Sequence, residues 1–152
     1  MSISARLAHV NLVARDWRRL ARFYSDVFAC TPVPPERELA GAWLDQATGL
    51  SGACIRGVHL RFSEQESAAP TLEIFQYEPS GAGPGSAVNR PGFGHIGLAV
   101  PDVAAARDAV LAAGGGTVGD LVSVEIAGAG RIAFVYATDP EGNIIELQQW
   151  SR

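Results

Sequence analysis

Two histidines and two glutamates stand at matched places in this chain, and they are the side chains best equipped to do chemistry. His9 opens the stretch His9-Val10-Asn11-Leu12 and His95 opens His95-Ile96-Gly97-Leu98; an aspartate follows each histidine seven residues later, Asp16 and Asp102. The glutamates lie in Leu72-Glu73-Ile74-Phe75-Gln76-Tyr77 and Ile145-Glu146-Leu147-Gln148-Gln149-Trp150, which align as apolar, Glu, apolar, variable, Gln, aromatic. A lone histidine or glutamate in a strand is ordinarily an unremarked surface or core residue. The same pair recurring at repeat-related positions points to a duplicated unit with a shared purpose. Two ionised carboxylates crowded together repel unless a cation or a proton lies between them. Two imidazoles and two carboxylates form a mixed nitrogen and oxygen donor set that suits a divalent ion with five or six ligands, leaving room for water or substrate. On ligand type alone Ni, Co, Zn, Mn and Fe all remain open.

The elements that must carry these residues follow from periodicity. Alternation predicts a strand over 6–14, with Val10 and Leu12 on one face and His9, Asn11 and Val13 on the other. Asp16 is placed to cap a helix over 17–28, whose apolar stripe is Trp17, Leu20, Ala21, Tyr24, Val27 and Phe28. Residues 31–40, with Pro32, Pro34 and Pro35, read as an extended edge or loop leading to a short helical turn near Trp43. Residues 53–62 alternate with Gly57, His59 and Arg61 on one side; 63–70 is a polar hairpin connection, and 71–77 is the first glutamate strand. The Gly- and Pro-rich stretch 79–92 reads as a linker. Then 93–100 is the second histidine strand, Asp102 caps a helix that stops at Gly114-Gly115-Gly116, and strands near 121–127 and 131–137 flank Gly128-Ala129-Gly130 before the closing strand. The reading is a single domain over 1–152, made of modules at 5–78 and 93–150. Its class is α+β: two tandem βαβββ modules forming a cupped mixed sheet, helices on the outer face and the polar set on the other.

Composition narrows the function classes. With 152 residues, 47% hydrophobic and 18% charged, the chain can bury an ordinary core. A net charge of -4 and the lack of a basic stripe argue against nucleic-acid binding; Arg15, Arg18, Arg19 and Arg22 read as one solvated helix face. No apolar run is long enough to span a membrane, and no signal peptide is evident, so the expected location is cytoplasmic. Cys30 and Cys54 follow no metal spacing and are expected to be buried, structural thiols. There is no Gly-x-Ser-x-Gly elbow, no phosphate loop, and Gly92-Phe93-Gly94 leads into a strand and so is no dinucleotide fingerprint.

Paired modules of this kind, with Gly94-His95-Ile96-Gly97-Leu98-Ala99-Val100 and Asp139-Pro140-Glu141-Gly142-Asn143-Ile144-Ile145-Glu146-Leu147 as their most specific pieces, resemble the vicinal oxygen chelate superfamily over essentially the whole chain. That group includes glyoxalase I, methylmalonyl-CoA epimerase, extradiol dioxygenases, and the fosfomycin- and bleomycin-resistance proteins. The resemblance implies His9, Glu73, His95 and Glu146 as metal ligands. It also implies glyoxalase I-like lyase or epimerase-type isomerase chemistry, in which a cation chelated by two adjacent substrate oxygens stabilises an enediolate and a metal-bound carboxylate, Glu146 or Glu73, carries the proton. It further implies a homodimer. Where bacterial glyoxalase I carries an Arg and an Asn that serve glutathione, this chain has Val13 and Tyr77. With Phe75 and Trp150 these make the pocket more apolar and aromatic, and Asn11, His59 and Gln148 complete the expected substrate-binding set, so the small-molecule substrate is expected to be partly apolar and not a glutathione adduct. The competing readings are a binding or resistance protein that sequesters an aromatic natural product, and a metal-dependent dioxygenase.

Overall fold

The computed structural model describes residues 1–63 and 65–151. Glu64, in the expected hairpin connection, and Arg152 lie outside the described residues. The chain divides into two compact units, Met1–Ala82 and Gly83–Arg152, each built on its own mixed sheet.

In the first unit β1 (His9–Val13), α1 (Trp17–Phe28), β2 (Thr31–Ala40), α2 (Ala42–Thr48), β3 (Cys54–Arg61) and β4 (Thr71–Glu78) follow in order. The sheet order is β1-β4-β3-β2, with β1 parallel to β4 and the other pairs antiparallel. Asp16 caps α1 as expected: its Oδ1 accepts from the Arg19 amide at 3.0 Å. The stripe that α1 buries is Trp17, Leu20, Phe23 and Tyr24. Phe23 joins the stripe, while Ala21, Val27 and Phe28 of the expected set are only half-buried. The stripe packs on Val58 and Leu60 of β3 and Leu72 and Ile74 of β4, all nearly inaccessible. The proline-rich β2 is an edge strand, paired to β3 alone and out of register between Val33 and Arg37, as prolines require of a strand that must forgo ladder donors.

The short α2 does more than the helical turn expected near Trp43. Leu44 packs with Ala53, Ile55 and Phe75 as a second small core, bordered by Leu39 and Tyr77, while Trp43 stays exposed. Asp45 fastens this helix to the start of β3 by accepting from the amides of Gly52 and Ala53, both at 2.8 Å. Gly57 makes the neighbouring packing possible: a Cβ there would sit 2.0 Å from the Ile74 carbonyl oxygen and 2.7 Å from a Phe75 ring carbon.

The second unit contains β5 (Ile96–Ala99), α3 (Val103–Ala112), β6 (Gly116–Thr117), β7 (Val122–Ile126), β8 (Gly130–Thr138) and β9 (Ile144–Ser151). The order is β5-β9-β8, and both β6 and β7 pair with β8; β5 runs parallel to β9. Asp102 caps α3 through its Oδ1 and the Ala105 amide at 2.9 Å. Val103 and Val110 of this helix are buried on the side of the sheet that carries Val135, Ala137, Ile145 and Leu147. The two-residue β6 had no signal in the sequence, being too short for an alternating pattern.

The turn that launches β9 is built on a buried carboxylate. Asp139, 2% exposed, accepts through Oδ1 from the amides of Glu141 at 2.9 Å and Asn143 at 3.0 Å, and through Oδ2 from Asn143 Nδ2 at 2.8 Å. Gly142 takes φ 87°, the left-handed conformation that closes the loop. The hairpin sets the register in which Tyr136 faces Glu146 and Phe134 faces Gln148.

Candidate functional site

Each unit sets a histidine beside a glutamate by the same device. In the first, the parallel β1–β4 pair puts Asn11 opposite Glu73, with His9 two residues earlier. In the second, the parallel β5–β9 pair puts Gly97 opposite Glu146, with His95 two residues earlier, just ahead of β5. The period of two then places each histidine on the face of its glutamate.

In the first unit His9 Nε2 lies 3.7 Å from Glu73 Oε1. Asn11 Nδ2 donates to the same Oε1 at 2.8 Å, and the other oxygen, Oε2, is 2.7 Å from His59 Nε2. His59 stands directly opposite Glu73 on the antiparallel neighbour β3, and its Nδ1 is 3.0 Å from Thr71 Oγ1. Burial, acting foremost, holds the His59 pKa below its ordinary value; the Glu73 charge opposes this, and Arg37 and His9 add to the lowering. His9 and His59 meet edge to face, ring centroids 5.7 Å apart, and Phe75 closes on the other side of His59 at 6.1 Å. Phe75 is 8% exposed, held in the small core under α2 with Tyr77 at its border; Val13, on the same strand face as His9, is exposed.

In the second unit His95 Nε2 approaches Glu146 Oε2 to 2.9 Å. No other polar contact to the Glu146 carboxylate occurs among the described residues. Tyr136, opposite Glu146 on β8, lays its ring 5.1 Å from that of His95 and 5.8 Å from that of Phe134. Gln148 reaches back over Gly97, where an added Cβ would come within 3.2 Å of its Nε2, and its Oε1 accepts from the Trp150 indole at 2.6 Å. Register carries this face outward as an apolar surface: Ile132 pairs Trp150, Val124 pairs Ile132 and Val122 pairs Phe134, with Val122, Val124 and Trp150 all exposed.

Thr71 and Tyr136 were not singled out from the sequence. Thr71 could have been, since it stands two residues before Glu73 on one strand face. Tyr136 needed the β8–β9 register, which the residues between those strands do not announce.

The donor chemistry can be tested against a divalent ion within each unit. Two donor atoms bound to one ion at about 2.1 Å lie roughly 3.0 Å apart at a right angle and roughly 3.4 Å apart at a tetrahedral one. The separation of 2.9 Å for His95–Glu146 matches the first, and 3.7 Å for His9–Glu73 lies slightly beyond the second. Each pair thus offers a nitrogen and an oxygen at or near the spacing one ion requires. Among the described residues no group of three or more His, Cys, Asp or Glu side chains is gathered to hold an ion. No helix among them is long and apolar enough to cross a membrane. Cys30 is buried and Cys54 half-buried, and both are free thiols, so the expectation of burial holds in full only for Cys30.

Comparison with known proteins agrees with this architecture. A glyoxalase family protein from Bacillus cereus superposes with a TM-score of 0.83 at 18% identity, covering 99% of this chain and 97% of its own. Glyoxalase I from Zea mays, in a mutant form, matches at 0.65 and 22% identity, over 97% of this chain and 46% of that one. A fosfomycin resistance protein from Listeria monocytogenes, solved with manganese(II) and sulfate, matches at 0.56 and 12% identity, over 98% and 95%. No curated protein matches the sequence. The fold these structures share is that of the vicinal oxygen chelate superfamily. Within it, residues 9–147 match the glyoxalase-like domain, and the chain belongs to that family.

Proposed function

We propose that the protein is a metal-dependent, glyoxalase-like isomerase or lyase. On this reading His9, Glu73, His95 and Glu146 are its metal ligands and a small, partly apolar molecule is its substrate. The observation that carries this is the recurrence, in two separate sheets, of one register that sets a histidine Nε2 against a glutamate carboxylate. A divalent cation held by these side chains would draw in two adjacent substrate oxygens and stabilise the negative charge that grows when the neighbouring carbon loses its proton.

The remaining work falls to the chain itself. Each oxygen of Glu73 already has a hydrogen-bonding partner, Asn11 on Oε1 and His59 on Oε2, and the two together hold the carboxylate in one orientation. Glu146 meets His95 through Oε2 alone, which leaves Oε1 to accept a proton from substrate and return it. Glu146 is therefore assigned as the base and Glu73 as a fixed ligand. The face bearing Phe134, Gln148 and Trp150, with Val122 and Val124 at its edge, would seat the apolar part of the substrate and exclude water from the reacting carbon.

Metal analysis of protein purified without chelator, followed by solvent deuterium incorporation into α-hydroxycarbonyl or hemithioacetal substrates, tests the reading. Glu146→Gln, compared at saturating metal because it removes one anionic ligand, should lose exchange by two orders of magnitude or more, roughly the contribution of a positioned base. A chain that takes up no divalent ion under any loading condition sinks the proposal. The same apolar face favours one second reading, sequestration of an aromatic small molecule. It predicts ligand binding undiminished by EDTA, with no proton exchange. A homodimer and a cytoplasmic location remain part of the proposal; sedimentation and cell fractionation check them.

A further inference from the structure

The two glutamates are not equivalent, and the difference lies in residues outside the repeat. Tyr136 occupies in the second sheet the position that His59 occupies in the first, each directly opposite its glutamate across an antiparallel pair. Tyr136 makes a ring contact with His95; His59 makes the matching ring contact with His9 and in addition bonds the carboxylate of Glu73 and is itself bonded by Thr71. We propose that His59 and Thr71 form a positioning pair that locks Glu73, holding Oε2 so that Oε1 stays turned to His9 and Asn11. The inference rests on the metal reading of Glu73 and adds the residues that would tune its grip.

Hydrogen-bond chemistry fixes the direction of the chain. A carboxylate only accepts, so a neutral His59 must donate from Nε2 to Glu73. Its Nδ1 is then the acceptor, and the Thr71 hydroxyl must be the donor. Both side chains are well enclosed, 16% exposed for His59 and 11% for Glu73. No buried side-chain nitrogen or oxygen among the described residues lacks a partner. Partners of this kind, bonded to a ligand and not to the ion, set its orientation and typically govern affinity by about 10–100-fold.

Cobalt(II) titrations of the chelator-stripped full chain, read by visible absorption and by competition, provide the test. His59→Phe keeps the ring and removes both bonds; it should weaken cobalt binding by about 10–100-fold, and Thr71→Val by a smaller factor. His59→Gln, whose amide can still donate to Oε2, should recover most of the affinity with an unchanged cobalt spectrum. Thermal melts of each variant separate lost fold from lost orientation. In metal-free protein, nitrogen NMR of His59 should show the proton on Nε2, with the preference weakened in Thr71→Val. Wild-type affinity in a folded His59→Phe overturns the inference, as does a cobalt spectrum that changes with His59→Gln, which would make His59 itself a ligand. A wild-type chain that takes up no cobalt overturns the metal reading instead. The tautomer then still decides whether His59 orients Glu73, and a proton found on Nδ1 refutes it.

Discussion

Replacing Asp139 with alanine should unfold the entrance to β9 and, with it, the strand that presents Glu146. The carboxylate accepts three hydrogen bonds at 2.8–3.0 Å from Glu141 and Asn143 and is 2% exposed. Losing the acceptor strands three donors. At about 1 kcal/mol net for each bond, the loss is roughly 3 kcal/mol. Glu141 and Asn143 are themselves only half-buried, so water can reach part of what is stranded, and about 2 kcal/mol is the floor. For a chain of this length, a loss of 2–3 kcal/mol corresponds to a melting temperature lower by about 4–12 °C. Asp139→Asn should fall between wild type and alanine, since its amide oxygen can still serve the two backbone donors while its NH2 group opposes Asn143 Nδ2. Urea unfolding followed by tryptophan fluorescence measures the loss. A change below about 0.5 kcal/mol for alanine, the ordinary size of a surface substitution, would refute the idea that this turn is held by its carboxylate.

Gly57→Ala should be costly despite its small size. The new Cβ meets a backbone carbonyl of the adjacent strand and the Phe75 ring, so about 1–3 kcal/mol of overpacking is expected in the same urea assay; a neutral result would show that β3 and β4 can separate freely. Cys30 is buried and its thiol is pushed up to about 12 by that burial, so it should resist iodoacetamide at pH 8 until denaturant is added. Alkylation of Cys30 in the native protein at the rate of a free thiol would contradict this. In chelator-treated protein, the His59 ring should titrate below 6.5, its ordinary value. Between the folded and unfolded values the unfolded chain then binds more protons, so stability should fall as pH drops through 6.5. A titration midpoint by carbon NMR at or above 6.5 would refute the sign.

What could be read from the sequence was what repeats and what alternates. The duplicated Glu phrase and the His-to-Asp spacing located all four candidate ligands, and Asp16 and Asp102 marked both long helices, because caps and strand phase are local properties. Non-local pairing was not legible. Nothing in residues 6–14 says that β1 will run parallel to β4, or that the register will set Asn11 against Glu73. Nothing in the proline-rich segment or around Trp43 foretold that Leu44, not the tryptophan, would be the buried residue of α2. The same limit hid the contrast between the two halves. In the sequence Glu73 and Glu146 are copies, and His59 is a histidine without a counterpart. Once β3 lies beside β4, that histidine becomes the bond that occupies Glu73, while at the equivalent place Tyr136 leaves one oxygen of Glu146 open. Duplication supplied two equal carboxylates; the strand next door sets a histidine on one of them and a tyrosine ring beside the other.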